Sequence, residues 1–600
     1  MTQPVAGRSP GGREDRRGAT VATMFDLKIT GGTIVDGTGR ARFVGDVAVQ
    51  DGVIVAVGAA VDGDAAEVID ATGFVVAPGF VDIHTHYDGQ ATWDPVLDPS
   101  ASHGVTTVVA GNCGVGFAPV RPGMQARLVE MMEGVEDIPG TALHEGIQWE
   151  WETFPEYLDA LARREYALDI AAFIPHAPLR VYVMGERGAR NEDATAADIA
   201  EMAEHVAAAI RAGAVGFSTS RSLNHKDLDG ELVPGTFASA DELIGLTQAM
   251  VDAGGGLFEV VPMGETGDDA GMTLGEIDLL ARVSKATGVT VSFLVVQSMG
   301  APDLWRDQLD AVRKANADGA RLIPQVAARP GGMLLGVASY HGLMRRPTFR
   351  RLEDSLTLDE LLAEMNKPEV KAAILSEEDL PQDPHRQFES LTESMPFMFG
   401  RIFPLGDPLD YEPTHEQSIA GIAEATGTDP WEVLYDHLAA GELMLGAFTN
   451  YAQTSGDPLC EMLEHPDTVV GLSDGGAHVK MICDASAPTY LLTHWVRDRT
   501  RGERISLETV VRKQAAATAE VVGLTDRGTV EVGKKADLNV IDLEHLELHE
   551  PRSVDDLPAG GRRILQDATG YVATIVSGVV TRRAGLDTGA RPGRLVRATH

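Results

Sequence analysis

From Met24 to Ile69 the apolar residues fall in short β-branched runs: Leu27 and Ile29, Ile34, Val47 and Val49, Val53 to Val57, then Val68 and Ile69. Gly-Gly, Asp-Gly and Thr-Gly turns separate them. That alternation predicts a small antiparallel sheet. The first 23 residues are rich in Gly, Arg and Pro and have no apolar periodicity, so the pattern predicts disorder there and order from Met24, itself a candidate start. Beyond VVAPGFVD the pattern changes to apolar strands alternating with amphipathic helices, the mark of parallel βα units. In the clearest helix Ile199, Met202, Ala203, Val206 and Ile210 share one face, Thr195 and Asp198 form a capping box, and Gly213 ends it ahead of the buried strand AVGFSTS. GVTTVVAGN, LDIAAFIPH, GGLFEVVP, GVTVSFLVV, ARLIPQVA and TVVGLSD read as further strands. Six or seven such units joined right-handedly close into a barrel, so the predicted fold class is α/β with a TIM-type (β/α) barrel. The Pro-, Met- and charge-rich stretch at about 330–466 breaks the alternation and is expected to be an insertion over the barrel mouth. After Ala536 the strand pattern returns (DLNVIDL, ATIVSGVV).

Charge narrows the partners. Acidic residues outnumber basic ones 89 to 50, a formal net charge of −39, which repels phosphate backbones and anionic lipid heads. Nucleic acid and membrane are therefore not expected as partners, and a small molecule is. Cys113, Cys460 and Cys483 are odd in number and widely spaced, which fits a reducing cytoplasm better than a disulfide framework. No apolar run reaches the roughly 18 residues of a membrane span, and the N-terminus lacks the apolar core of a signal peptide.

The candidate chemistry lies at strand ends. His84 and His86 stand two apart in FVDIHTH, just after an apolar strand, so both imidazoles project from one side at the end where barrel enzymes place their sites. Asp474 ends the strand TVVGLSD before a Gly-Gly turn, where a carboxylate can hold a metal and exchange a proton with water; on its own it also reads as a turn or N-cap aspartate. His478, four residues on, either supports that site from behind or belongs to a helix. Cys113 in VVAGNCG offers a thiolate for zinc, although a lone buried cysteine is more often packing.

FDLKITGGTIVDGTG, APGFVDIHTHYD, GVTTVVAGNCG, GLSDGGAH, GLTDRGTVEVGKKADLNVID and RPGRLVR together resemble the D-aminoacylase (N-acyl-D-amino-acid deacylase) branch of the amidohydrolase superfamily, and the resemblance spans Phe25 to Arg597. It implies a metal-dependent hydrolase of a linear or cyclic C–N amide bond other than a peptide bond, with Asp474 as catalytic proton shuttle. It implies zinc, with His84, His86 and Asp474 at one position and Cys113 at another. It also implies a barrel over 77–528 flanked by a small β-sandwich built from both chain ends, 24–76 and 529–600, with 1–23 as an extension.

The match breaks where the branch places two further histidines and a lysine. An ungapped alignment puts Val261, Val295 and Gln297 there. A valine cannot ligate, so one tightly bound zinc is expected, a second site is doubtful, and simple N-acetyl-D-amino acids should be poor substrates. Glu259, two residues before Val261 on the same strand face, is a candidate replacement ligand; a buried ion pair is its other reading. His176, Arg221, Arg329 and Gln297 are candidate substrate-binding residues, and His225 is a further loop candidate. Two other functions stay open. One is a dihydroorotase- or hydantoinase-like ring opener, which would need a carbamylated lysine that FLVVQ, FEVVP and AAFIPH do not offer. The other is a non-catalytic ligand-binding barrel that has lost metal ligands.

Overall fold

Eight parallel strands pair in strict chain order: β1 (Phe80–Asp82), β2 (Val105–Ala110), β3 (Asp169–Pro175), β4 (Gly216–Ser220), β5 (Leu257–Val261), β6 (Thr290–Leu294), β7 (Leu322–Val326) and β8 (Val469–Val470). This computed structural model describes residues 1, 24–265, 269–383, 386 and 388–598; of the segment expected to be disordered, 2–23 lies outside them. Every residue of β2, β3, β4 and β5 is buried, because helices cover one face of the curled sheet and the other is the barrel interior. That is why these strands are rich in apolar residues and carry few charges. The first and last strands meet just beyond their C-terminal ends, where Asp474 N donates to His84 O (3.1 Å) and His86 N donates to Gly475 O (2.8 Å). The seam of the barrel is thus made of the histidine and aspartate motifs themselves.

The helix Ala196–Arg211 has the predicted Thr195–Asp198 capping box and buries Met202, Val206 and Ile210. Helices Ala240–Asp252, Ala270–Thr287 and Leu304–Ala317 follow β4, β5 and β6 in the same way. Strands from the two chain ends share one nine-stranded sheet, in which Leu538–Ile541 lies between Val75–Pro78 and Tyr571–Val576. Leu27, Ile29, Val47, Val49, Ile54, Val540 and Ile575 form its core. Between β7 and β8 the chain adds a three-stranded antiparallel sheet and several helices with their own apolar core, which reaches back to Met481 beside the barrel seam.

Asp169, the first residue of β3, ties the C-terminal part of the chain to the barrel. Its Oδ2 lies 2.6 Å from Arg527 Nη1 and 2.8 Å from Lys535 Nζ, and its Oδ1 accepts from Arg594 N at 3.0 Å. Burial alone would raise its pKa, but Lys535 and Arg527 outweigh burial and hold it below the ordinary carboxylate value. Asp169→Ala removes the shortest contact of Arg527 and a partner of Lys535, leaving Arg527 to Asp526 and Asp537, and is expected to cost about 1–3 kcal/mol of unfolding free energy. Because the folded pKa is depressed, this contribution is present in full above the unfolded value, roughly 3.9, and fades as pH falls through the folded one. Urea unfolding at pH 7 checks the first statement; a loss under about 1 kcal/mol contradicts it.

Candidate metal centre

His84 and His86 follow β1, Cys113 follows β2, and Asp474 follows β8, so four donors from three neighbouring strands meet at the C-terminal mouth of the barrel. Cys113 Sγ lies 3.4 Å from His84 Nε2 and 3.8 Å from His86 Nε2. Asp474 Oδ1 lies 3.3 Å and 3.7 Å from the same two nitrogens. The ligand atoms of His84, His86 and Cys113 are all within 4.8 Å of one another, the one such cluster of three or more among the described residues. Neighbouring donors on one tetrahedral zinc, with bonds of about 2.0–2.3 Å, stand about 3.3–3.8 Å apart, so the spacing suits a single ion.

The backbone is bent to achieve this. Cys113, Asp474 and His478 have φ of 56°, 48° and 48°. Such left-handed conformations cost a non-glycine residue on the order of 1–3 kcal/mol and gather at functional sites. Gly111 and Gly114 flank the cysteine turn, with φ of 83° and 67°; a Cβ on the first would strike Phe173 O and one on the second would meet Ser220 N at 2.7 Å. The GNCG motif is therefore a close backbone approach between β2, β3 and β4 that presents the thiol.

Hydrogen bonds behind the ligands fix which nitrogen is free. Ser292 Oγ donates to Ile323 O (3.0 Å), and Gln325 Nε2 donates to Ser292 Oγ (3.1 Å), so Gln325 Oε1 is the atom facing His84 Nδ1 at 3.1 Å. An amide oxygen only accepts; Nδ1 of His84 carries the proton and Nε2 presents a lone pair. His86 Nδ1 faces Glu136 Oε1 at 3.4 Å, and neither atom has a better partner among the described residues, which leaves Nε2 as the nitrogen turned to Cys113 and Asp474. Glu136 also faces His478 Nε2 through its other oxygen at 3.5 Å. It is the last residue of the helix Gln125–Glu136, a poor place for a buried acid because the helix terminus is itself negative; the two imidazoles offset that. Asp82 accepts from His84 N (3.3 Å) and from Ser473 Oγ, which locks both halves of the seam.

Charge completes the fit. Burial pushes the Cys113 thiol well up, and Glu136, Glu259, Asp474 and Asp88 push it the same way; no lysine or arginine is among these strongest influences. Burial lowers His84 to about 4. For His86 burial is overcome by Glu136 and Asp474, which raise it to about 9, and for Asp474 it is overcome by His86 and His84, which hold it well below the usual carboxylate range. A buried centre with this many acids, and with no lysine or arginine among the strongest influences on the thiol, suits a divalent cation. Glu136→Gln should therefore weaken metal binding about 10- to 100-fold while leaving the four donors in place, as read by chelator competition; unchanged affinity would remove Glu136 from this role.

Several residues singled out from the sequence fall elsewhere. Cys113 does not sit at a position apart from the histidines but at the same pair of Nε2 atoms. Glu259 turns one oxygen to Cys113 N (3.1 Å) and the other to the back of His84, 3.9 Å from Nδ1, so it supports the ligands instead of replacing one. Burial raises its pKa to about 8. Val261 and Val295 are buried in the apolar core at the ends of β5 and β6 and supply no donor there. Arg221 is spent on Glu276 and Ala238 O, Arg329 on Asp484, Ser486 and Gln566, His176 on Thr219 and Glu242, and the Gln297 amide on Pro302 O and Ala452 N. Each of these four is engaged within the fold by these contacts. Glu136 and Gln325 carry no sequence signal, one lying in a helix and the other mid-strand.

Two imidazoles and a thiol beside a carboxylate, at the mouth of a (β/α) barrel, define a metal-dependent hydrolase. Residues 67–582 match the model of the amidohydrolase family. D-aminoacylase from Alcaligenes xylosoxydans xylosoxydans is 25% identical over 583 residues, covering 96% of this chain and 98% of that one. N-acyl-D-glutamate deacylase from the same organism is 27% identical over 524 residues, covering 87% and 88%. Among solved structures, N-acyl-D-glutamate deacylase from Bordetella bronchiseptica, complexed with zinc and a phosphonate inhibitor, superposes with a TM-score of 0.63 at 24% identity over 96% of this chain and all of that one. The chain belongs to the amidohydrolase family, as a divergent member of its D-aminoacylase branch.

Proposed function

We propose that this enzyme removes the acyl group from an N-acylated amino acid or a close amide relative, with one zinc ion held by His84, His86 and Cys113 and with Asp474 moving the proton. The observation that carries the reading is the approach of Cys113 Sγ and Asp474 Oδ1 to the same two Nε2 atoms. A borderline-soft set of two imidazoles and a thiolate favours zinc over harder cations, and zinc in such a site supplies Lewis acidity and lowers the pKa of water. Gln325 and Glu136 hold the two imidazoles as acceptors, and Glu259 fixes the Cys113 backbone. Asp474 Oδ1 is turned to the histidines, while its side chain keeps 23% of its surface exposed against 1% for each imidazole. Oδ2 is thus the atom that takes a proton from the attacking water and returns it to the leaving nitrogen. A D-aminoacylase of similar fold is described as activated by one metal and attenuated by a second, which supports a one-metal reading here.

The substrate is expected to differ from N-acetyl-D-amino acids, since Gln297 brings no cation and is occupied by backbone groups. All three cysteines are free and buried, and no helix among the described residues is long and apolar enough to cross a membrane; we place the enzyme in the cytoplasm on the cysteines alone. Zinc-loaded protein assayed against N-acyl-D- and N-acyl-L-amino acids of graded acyl size, with hydantoins alongside, tests the reading. Turnover of N-acyl amino acids, weakest for N-acetyl, supports it; turnover confined to the cyclic imides refutes it.

A further inference from the structure

The loop after β4 carries His225, which no step above uses. It is half-buried, and it hangs from the strand end that packs against the cysteine turn, where Ser220 N lies 2.7 Å from the position a Cβ on Gly114 would take. Ser220, the last residue of β4, holds it: Ser220 Oγ lies 2.9 Å from His225 Nδ1. The direction of that bond follows from Ser220's other contact. Ser222 N donates to Ser220 Oγ at 3.2 Å, so the hydroxyl already accepts from the backbone. Ser220 is buried, and His225 Nδ1 is the one acceptor within its reach among the described residues. This gives the hydroxyl proton to Nδ1, and a neutral imidazole accepting there carries its own proton on Nε2. The loop is pinned as well. Ser222 Oγ and Asn224 Nδ2 both donate to Glu265 Oε1, and Val233 N donates to His225 O at 3.1 Å.

The same reasoning gave His84 a free lone pair on Nε2; for His225 it gives an N–H. We propose that His225 is a catalytic residue of this reaction, donating from Nε2–H to the carbonyl oxygen of the bound amide as negative charge gathers there. The inference rests on the amide-hydrolase reading. It adds a donor from the protein, fixed before substrate arrives, whose bond strengthens toward the tetrahedral transition state. Burial lowers the pKa of His225 from the ordinary imidazole value, which favours the neutral ring.

Nitrogen NMR of protein labelled in its histidine rings, with His225 assigned by the spectrum of His225→Gln, reads the tautomer directly and without any substrate. A neutral Nε2–H ring from pH 5 to 8 is expected; an Nδ1–H ring, or one that becomes cationic in that range, overturns the proposal. In parallel, His225→Ala should lower kcat about 10²- to 10³-fold with zinc content and KM little changed, and His225→Gln, which keeps an N–H, should recover part of the loss. Binding of a phosphonate mimic of the substrate should weaken more in His225→Ala than binding of the substrate amide. Wild-type turnover matched by His225→Ala overturns this role alone, as does a loss that follows zinc content. Absence of turnover by the zinc-loaded wild type against every amide overturns the amide-hydrolase reading, and the role falls with it.

Discussion

His84→Ala is expected to abolish amide hydrolysis and zinc binding together. His84 Nε2 is the donor nearest both Cys113 Sγ, at 3.4 Å, and Asp474 Oδ1, at 3.3 Å, so its removal opens the set on two sides. The Gln325–Ser292 chain behind it fixes the proton on Nδ1 and cannot compensate, because it ends at the missing ring. Metal chemistry in hydrolases is worth several kcal/mol, and about 4 kcal/mol is roughly a 10³-fold loss of rate. The stabilisation linked to zinc should vanish too: adding zinc raises the Tm of the wild type and leaves that of the variant unchanged. Activity within tenfold of wild type at equal zinc content would show that the chemistry lies elsewhere.

Asp474→Asn should behave differently. Asparagine keeps the shape of the side chain and one carbonyl oxygen for the contacts now made by Oδ1, so zinc is expected to stay bound, less tightly. What is lost is the oxygen that carries a proton. General acid–base groups of this kind contribute about 10²- to 10⁴-fold, and kcat should fall by that amount while KM changes little. Equal losses in zinc content and in rate would make Asp474 a ligand only.

How far these residues could be read from the chain follows from the geometry of strands. A two-residue spacing after an apolar run puts His84 and His86 on one side of the strand end, and a carboxylate before Gly-Gly at the last strand marks the seam, so both were legible. The barrel was legible for the same reason: β2 to β5 are buried on both faces and are rich in apolar residues. Cys113 was legible as a candidate, but its meeting with both imidazoles was not. That depends on the left-handed turn between Gly111 and Gly114, which local sequence does not set in space. Glu136 was hidden for a related reason, since a helix-terminal acid in MMEGVED looks like a solvated charge until the fold buries it beside His86 and His478. For the arginines the sequence showed the position and not the partner. Arg221 and Arg329 lie at strand ends, as a substrate clamp would, and each pairs with a carboxylate far away in sequence, Glu276 and Asp484.

The account turns on one centre in which the thiolate of Cys113 and the two histidines share an ion, with Val261 and Val295 leaving no donors for a second. X-ray absorption at the zinc edge of the loaded protein, with metal counted on the same sample, tests this most directly. One zinc per chain with one sulfur and two imidazoles around it, and loss of the sulfur in Cys113→Ser, is the predicted result. Two zinc ions per chain, or a single zinc with no sulfur neighbour, would contradict it.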